Sequence, residues 1–140
     1  MVDYAPVKGF IALKPYGYAI WEIIKFNIDD ELKKTGHQNG FLPILIPESL
    51  ISKEQEHFSG FEPEVFWVTK SGNDELRDRL AIRPTSETIA YSMFSNWINS
   101  YRDLPLKMNF WTSALRAEIN STKPFLRNSE FLWQEGHTAH

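Results

Sequence analysis

The chain has 140 residues, 42% of them hydrophobic and 14% aromatic, with a formal net charge of −3. That length fits one domain or part of one and allows a core of its own, and the composition favours a folded globular protein over a disordered one. The charge offers no global basic field for nucleic acid, and the absence of cysteine excludes disulfides, iron–sulfur clusters and thiolate zinc in this stretch. No apolar run reaches the roughly 18 residues that a membrane helix needs. The opening MVDYAPVKGF has neither the basic nor the apolar region of a signal peptide, so the expected compartment is the cytoplasm.

GFIALKPYGY begins with a short apolar run and a turn signal at Pro15–Gly17. Residues 18–35 then read as a helix. Trp21, Ile24, Ile28 and Leu32 recur at three and four residues as one buried stripe, Asp29, Asp30, Lys33 and Lys34 suit the wet face, and Gly36 is a natural stop. Phe41 to Ile46 is too short for a helix and reads as a buried strand. Pro43 inside it cannot donate to a ladder, which places the strand at an edge or an interface. Residues 48–57 suit a short polar helix, and EVFWVTKSGN suits a strand followed by a Ser-Gly-Asn turn.

RPTSETIAYSMFSNWINSYRD opens a further helix, with Thr85 or Ser86 available as its cap and Ile89, Met93 and Trp97 on its buried face. LPLKMNFWTSALRAEI alternates, so that Leu106, Met108, Phe110, Thr112, Ala114, Arg116 and Glu118 share one face. After the polar loop NSTKPFLRN, the closing stretch alternates again through Phe131, Trp133, Glu135 and His137. Long helices mixed with hairpin-linked strands indicate an α+β fold with a largely antiparallel sheet.

Folding the last two strands into a hairpin gathers a guanidinium, two carboxylates, an imidazole and two aromatic rings on one surface. Burying so many polar groups without a ligand is costly, so solvent or a polar substrate must cover them. The plain alternative is an ordinary outward face with Arg116 paired to Glu118 or Glu135, a type of contact worth little and common on surfaces. Against it stand the aromatics on the polar face and the second polar cluster, RPTSET.

RPTSET, ALRAE, PFLRNSEFLWQEGHTAH and GFEPEVFWVTKSG together resemble the prolyl-tRNA synthetases, class II aminoacyl-tRNA synthetases of the archaeal and eukaryotic type, over essentially the whole chain. The stretch from Gly17 to Pro47 resembles motif 1 of that class, with Pro43 as its proline, and LRAE through FLWQE resembles motif 2. The resemblance implies a class II antiparallel sheet flanked by helices, incomplete in this segment. It implies ATP-dependent activation of L-proline to prolyl-adenylate, then transfer to the terminal adenosine of tRNA-Pro. It further implies magnesium with the ATP and a homodimer through motif 1 around Pro43.

The same resemblance distributes roles. Arg116 is the catalytic arginine, which meets both the α-phosphate and the proline carboxylate. Glu118 and Phe131 hold adenine, and Arg127 lies in the motif 2 loop, near the ATP phosphates and the tRNA acceptor end. Thr85 and Glu87 meet the proline amine, and Trp133, Glu135 and His137 wall its pocket. Phe61, Glu64 and Val65 fall on the rim, although Val65 reads equally as a core strand residue. Thr85 is also readable as a helix cap only, Glu87 as a first-turn acid, Phe131 as a core aromatic and Glu118 as a surface carboxylate. Arg83 fits either the helix entry or support of the site.

His137 and His140 form an HxxH pair, but at a strand or its exit and without a third ligand, so no metal site is expected. Threonyl-specific relatives use zinc with a cysteine ligand, and the lack of cysteine favours proline. The chain departs from the family pattern at Asn128 and Ser129, where a basic residue is commonly present, and at Ala117, where a bulky one is. The family's third motif and anticodon-binding domain find no match within these 140 residues. Residues 1–140 are therefore expected to be the amino-terminal portion of a catalytic domain, with little or no complete aminoacylation alone. A class II synthetase specific for threonine, serine or glycine, and a synthetase-like binding or regulatory protein without catalysis, remain the alternatives.

Overall fold

A computed structural model of the chain describes residues 1–55, 65–117 and 121–140. Along these residues run β1 (Val2–Tyr4), β2 (Ile11–Leu13), α1 (Pro15–Lys34), β3 (Gln38–Asn39), β4 (Leu45–Pro47) and α2 (Glu48–Gln55). There follow β5 (Phe66–Ser71), β6 (Asp74–Ile82), α3 (Glu87–Trp97), β7 (Leu106–Leu115) and β8 (Glu130–Ala139). Three sheets result, ordered β1-β2, β3-β7-β8 and β4-β6-β5. All pairs are antiparallel except β3 with β7, parallel over two residues. The α+β expectation holds.

α1 begins at Pro15, so the expected turn is instead the first turn of the helix, where a missing N–H does no harm. Its end is the one expected. Gly36 adopts φ 86°, its N–H donates to the Lys33 carbonyl, and the N–H of His37 donates to that of Leu32. This six-to-one, five-to-two pair is the Schellman closure, which a left-handed glycine permits.

The buried stripe of α1 is rotated from the expected one. Ile24 and Ile28 are exposed. The side facing the hairpin carries Trp21, edge-on to Trp111 at 5.6 Å, then Lys25 over the Trp111 ring, then Asp29. The physical reason is polar. Asp29 accepts from Trp111 Nε1 at 2.8 Å and from Asn39 Nδ2 at 2.6 Å, and this seam draws in a carboxylate that the pattern had assigned to solvent.

The strand expected over Phe41–Ile46 narrows to Leu45–Pro47 at the edge of its sheet, with Pro43 ahead of it. Phe41 is exposed, and Leu42 and Ile46 are buried. α2 is formed to Gln55, and the remainder of the expected helix lies outside the described residues. β5 turns through Gly72–Asn73 into β6, a strand not anticipated in DELRDRLAI. The buried side of α3 is Ala90 and Phe94, with Ile89 and Met93 at its margin, while Trp97 is exposed. Ala90 joins Leu42 and Phe110 in the central core cluster, so α3 lies on the same face of the hairpin as the polar row.

Candidate active site

The β7–β8 register sets Ala114 opposite Phe131, Thr112 opposite Trp133, Phe110 opposite Glu135 and Met108 opposite His137. Directly opposed residues of an antiparallel pair point the same way, so the expected row occupies one face. Trp133 Nε1 donates to Thr112 Oγ1 at 3.2 Å, and the Phe131 and Trp133 rings meet edge-on at 5.4 Å.

Arg116 sits just past β7. Its backbone N–H donates to the Ser129 carbonyl and its Nε to the Pro84 carbonyl at 3.2 Å. The guanidinium lies 5.3 Å from the Phe131 ring centre and 5.5 Å from that of Trp133, within cation–π range. Among the described residues no carboxylate pairs with it, so the plain Arg116–Glu135 ion pair is not formed. A half-buried guanidinium, oriented by a carbonyl and two rings, keeps donors for an anion.

Glu135 is buried, and its carboxylate is held from the RPTSET segment. Oε1 accepts from the Ser86 N–H at 2.9 Å and the Thr85 hydroxyl at 3.0 Å, and Oε2 accepts from the Ser86 hydroxyl. His137 Nε2 approaches Oε1 at 3.7 Å, too long for a hydrogen bond, and has no other partner among the described residues. The His137 ring packs against Tyr91 at 5.7 Å and Phe110 at 5.9 Å. Burial pushes the Glu135 carboxyl up. The nearby His137 ring, the Ser86 hydroxyl and amide and the Thr85 hydroxyl outweigh it, leaving the group below its ordinary value. The Thr85 hydroxyl also contacts Glu87, which is exposed. Ser86 stands at the N-cap of α3 without making a side-chain cap bond, because its hydroxyl is turned to Glu135; the expected cap is not formed.

Arg83 is buried and placed by carbonyls. Nε donates to Ser113 O at 3.0 Å, and one terminal nitrogen donates to Leu42 O at 2.9 Å and Pro43 O at 3.4 Å. Its own N–H donates to Ile44 O and its carbonyl accepts from the Leu115 N–H. Arg83 thus joins the segment entering β4 to the hairpin. Burial lowers its pKa, and the Glu135 charge opposes that shift.

Arg127 is exposed at a tight loop closed by paired bonds with Lys123, in which Phe125 adopts φ 66°. Val65 is a buried core residue directly ahead of β5. Phe61, Glu64 and Glu118 lie outside the described residues. Asn128 and Ser129, the departures from the family pattern, are both buried. The Ser129 N–H donates to the Gly9 carbonyl at 2.9 Å, and a Cβ on Gly9 would come within 2.5 Å of Ser129 Oγ. His137 is buried within β8, whereas His140 lies just past the strand and is exposed. Among the described residues no group of three His, Asp or Glu is placed to hold a metal, and no described helix is long and apolar enough to cross a membrane.

Sequence reasoning did not find Ser86 as a partner of Glu135, nor a polar chain on the opposite face of the hairpin. There Asn109 Nδ2 donates to Asn39 Oδ1 at 2.8 Å and Gln134 Nε2 donates to Asn109 Oδ1 at 2.7 Å, continuing the Asn39–Asp29 bond. The signal available was one amide side chain on each strand, Asn109 and Gln134, on the face opposite the aromatic and acidic row.

Comparison with known proteins agrees with this geometry. Residues 66–140 match the family described as the tRNA synthetase class II core domain (G, H, P, S and T). The whole chain is 68% identical to a proline–tRNA ligase from Cenarchaeum symbiosum and 62% identical to one from Alkaliphilus oremlandii, covering 29% of each. It thus spans less than a third of the length of these relatives. A crystal structure of prolyl-tRNA synthetase from Cryptosporidium parvum, complexed with halofuginone and AMPPNP, superposes with a TM-score of 0.90 at 49% identity, covering 100% of this chain and 27% of that one. An aromatic-flanked arginine, a carboxylate-anchored RPTSE turn and this match over more than half its length agree: the chain belongs to the class II tRNA synthetase core domain family.

Proposed function

We propose that residues 1–140 are the amino-terminal portion of the catalytic domain of a prolyl-tRNA synthetase. The observation that carries this is the oriented guanidinium of Arg116, with no described carboxylate partner, on the same sheet face as the Thr85–Ser86–Glu135 cluster. In the first reaction a carboxylate oxygen of proline attacks the α-phosphorus of ATP, the bond to the bridging oxygen breaks, and pyrophosphate leaves with that electron pair. Arg116 binds both anions and stabilises the charge that builds at the α-phosphate. Phe131 stacks adenine and Glu118 accepts its exocyclic amine, while Arg127 meets phosphate from the loop. Thr85 and Glu87 receive the amine of proline, and Trp133 and His137 close the pocket beside Glu135. In the second reaction a ribose hydroxyl of the terminal adenosine of tRNA-Pro attacks the activated carbonyl, loses its proton, and AMP leaves. Magnesium enters as part of the ATP substrate.

The same reading includes a homodimer through the motif 1 region. The apolar residues left open on α1 and before β4, among them Phe26, Ile23 and Phe41, support it, as does Pro43 beside an edge strand. The test is pyrophosphate exchange by the full-length protein with each amino acid in turn. Exchange stimulated by proline alone is the expected result. Exchange with threonine, serine or glycine would move the specificity, and none with any amino acid would replace the enzyme by a binding protein.

A further inference from the structure

Glu135 and Glu87 both contact the Thr85 hydroxyl, yet their surroundings differ. Glu87 is exposed, and a ligand can reach it. Glu135 is 7% exposed and already accepts from the Ser86 N–H, the Ser86 hydroxyl and the Thr85 hydroxyl. A carboxylate offers about four acceptor positions, and three are filled from one dipeptide. Ser86 is completely buried and forgoes the N-cap bond for which serine is favoured, in order to hold this carboxylate. A local preference set aside at such a place marks a constraint from the site. The Thr85 hydroxyl lies between the two carboxylates, nearer to Glu87 than to Glu135, so it links the buried acid to the exposed one.

We propose that Glu135 is a positioning residue of the amino-acid subsite: it fixes Ser86 and the turn beside it, and thereby presents the Thr85 oxygen and the Glu87 carboxylate as two acceptors for the substrate amine. Two acceptors match the two N–H bonds of a protonated ring secondary amine. Glu135 acts through Thr85 and Ser86 and does not touch the substrate. This inference rests on the prolyl-activating reading given above.

A glutamine at 135 preserves the arrangement. Its carbonyl oxygen accepts from Ser86 N–H and Thr85, and its amide donates to the Ser86 oxygen. The experiment measures KM for proline and for ATP separately, by pyrophosphate exchange in the full-length protein, for Glu135→Ala, Glu135→Gln, Ser86→Ala and Glu87→Gln. Glu87→Gln is expected to raise the proline KM by roughly a hundredfold and Glu135→Gln by less than about tenfold, as one lost charge-assisted contact differs from a retained neutral one. Ser86→Ala and Glu135→Ala should raise the proline KM while that for ATP stays put, a split that general loss of stability does not produce. Hydrogen exchange at the Ser86 amide, slow in the wild type and fast in Glu135→Ala, reads the lock without any activity. The proposal is overturned if Glu135→Gln raises the proline KM as far as Glu87→Gln does, or if Ser86→Ala leaves it unchanged. Should Glu135→Ala fail to fold, the Gln and Ser86 variants decide. A wild type with no proline-dependent exchange but a protected Ser86 amide would overturn the functional reading and leave only the lock.

Discussion

Arg116 donates from Nε to the main-chain carbonyl of Pro84 at 3.2 Å, so the residue proposed for catalysis is aimed by the segment proposed to bind the amino acid. Because the aiming partner is neutral, the guanidinium keeps its full charge for an incoming anion. The two aromatic rings beside it limit its swing without supplying a competing carboxylate.

Replacing Arg116 with alanine should abolish proline-dependent pyrophosphate exchange. Lysine keeps a positive charge but has no Nε–H for Pro84 and no planar fork, and the exchange rate is expected to fall by about a hundredfold or more. Exchange at wild-type rate in either variant would remove Arg116 from the chemistry.

Arg83→Ala leaves the carbonyls of Leu42, Pro43 and Ser113 without their buried donor. Denaturant unfolding should show a loss of about 2–4 kcal/mol, with Arg83→Lys recovering only part because one ammonium cannot span both segments. Equal stability of the lysine variant and the wild type would refute the bridging role.

Bonds from Lys33, Asn39 and Trp111 hold the Asp29 carboxyl at about 2, below its ordinary 3.8. A group with a depressed folded pKa stabilises the fold fully above the unfolded value and loses that contribution as pH falls through the folded one. Melting temperature followed from pH 5 downwards should therefore drop as Asp29 titrates between 3.8 and about 2, and Asp29→Asn should flatten that part of the curve. Parallel acid limbs for the two proteins would contradict the assignment.

Phe26 and Ile23 are exposed on α1, at 75% and 62%. If α1 lies in a homodimer interface, Phe26→Glu with Ile23→Asp should yield monomers in sedimentation at concentrations where the wild type is dimeric. Helical content should not change, since neither side chain is buried within the chain.

The hairpin face was legible because period-two alternation runs through ten residues on each strand, and parity alone determines which side chains share a surface. The stripe of α1 was not, since a search for apolar periodicity passes over Lys25 and Asp29, and it is Trp111 and Asn39, far along the chain, that draw the acid inward. Ser86 shows the same limit. Its local pattern says cap, while its partner Glu135 lies 49 residues on. β6 went unread although Leu76, Leu80 and Ile82 fall on one parity, because charged residues dominate its sequence. The family resemblance pointed to Thr85, Glu87 and Arg116, but the main-chain carbonyls that orient Arg83 and Arg116 leave no trace in residue identities.

The fastening at Arg83 is one-sided. Its guanidinium is a particular side chain, whereas each of its three hydrogen-bond acceptors is a peptide oxygen that residues of many kinds at 42, 43 and 113 would supply equally. Those three positions can therefore change side chain without loosening this joint, subject only to their own packing. Position 83 has no such latitude. Nor does a charge swap elsewhere repair it, since among the described residues Arg83 pairs with carbonyls and not with an acid: a suppressor of Arg83→Ala would have to bring a new buried donor to the same carbonyls.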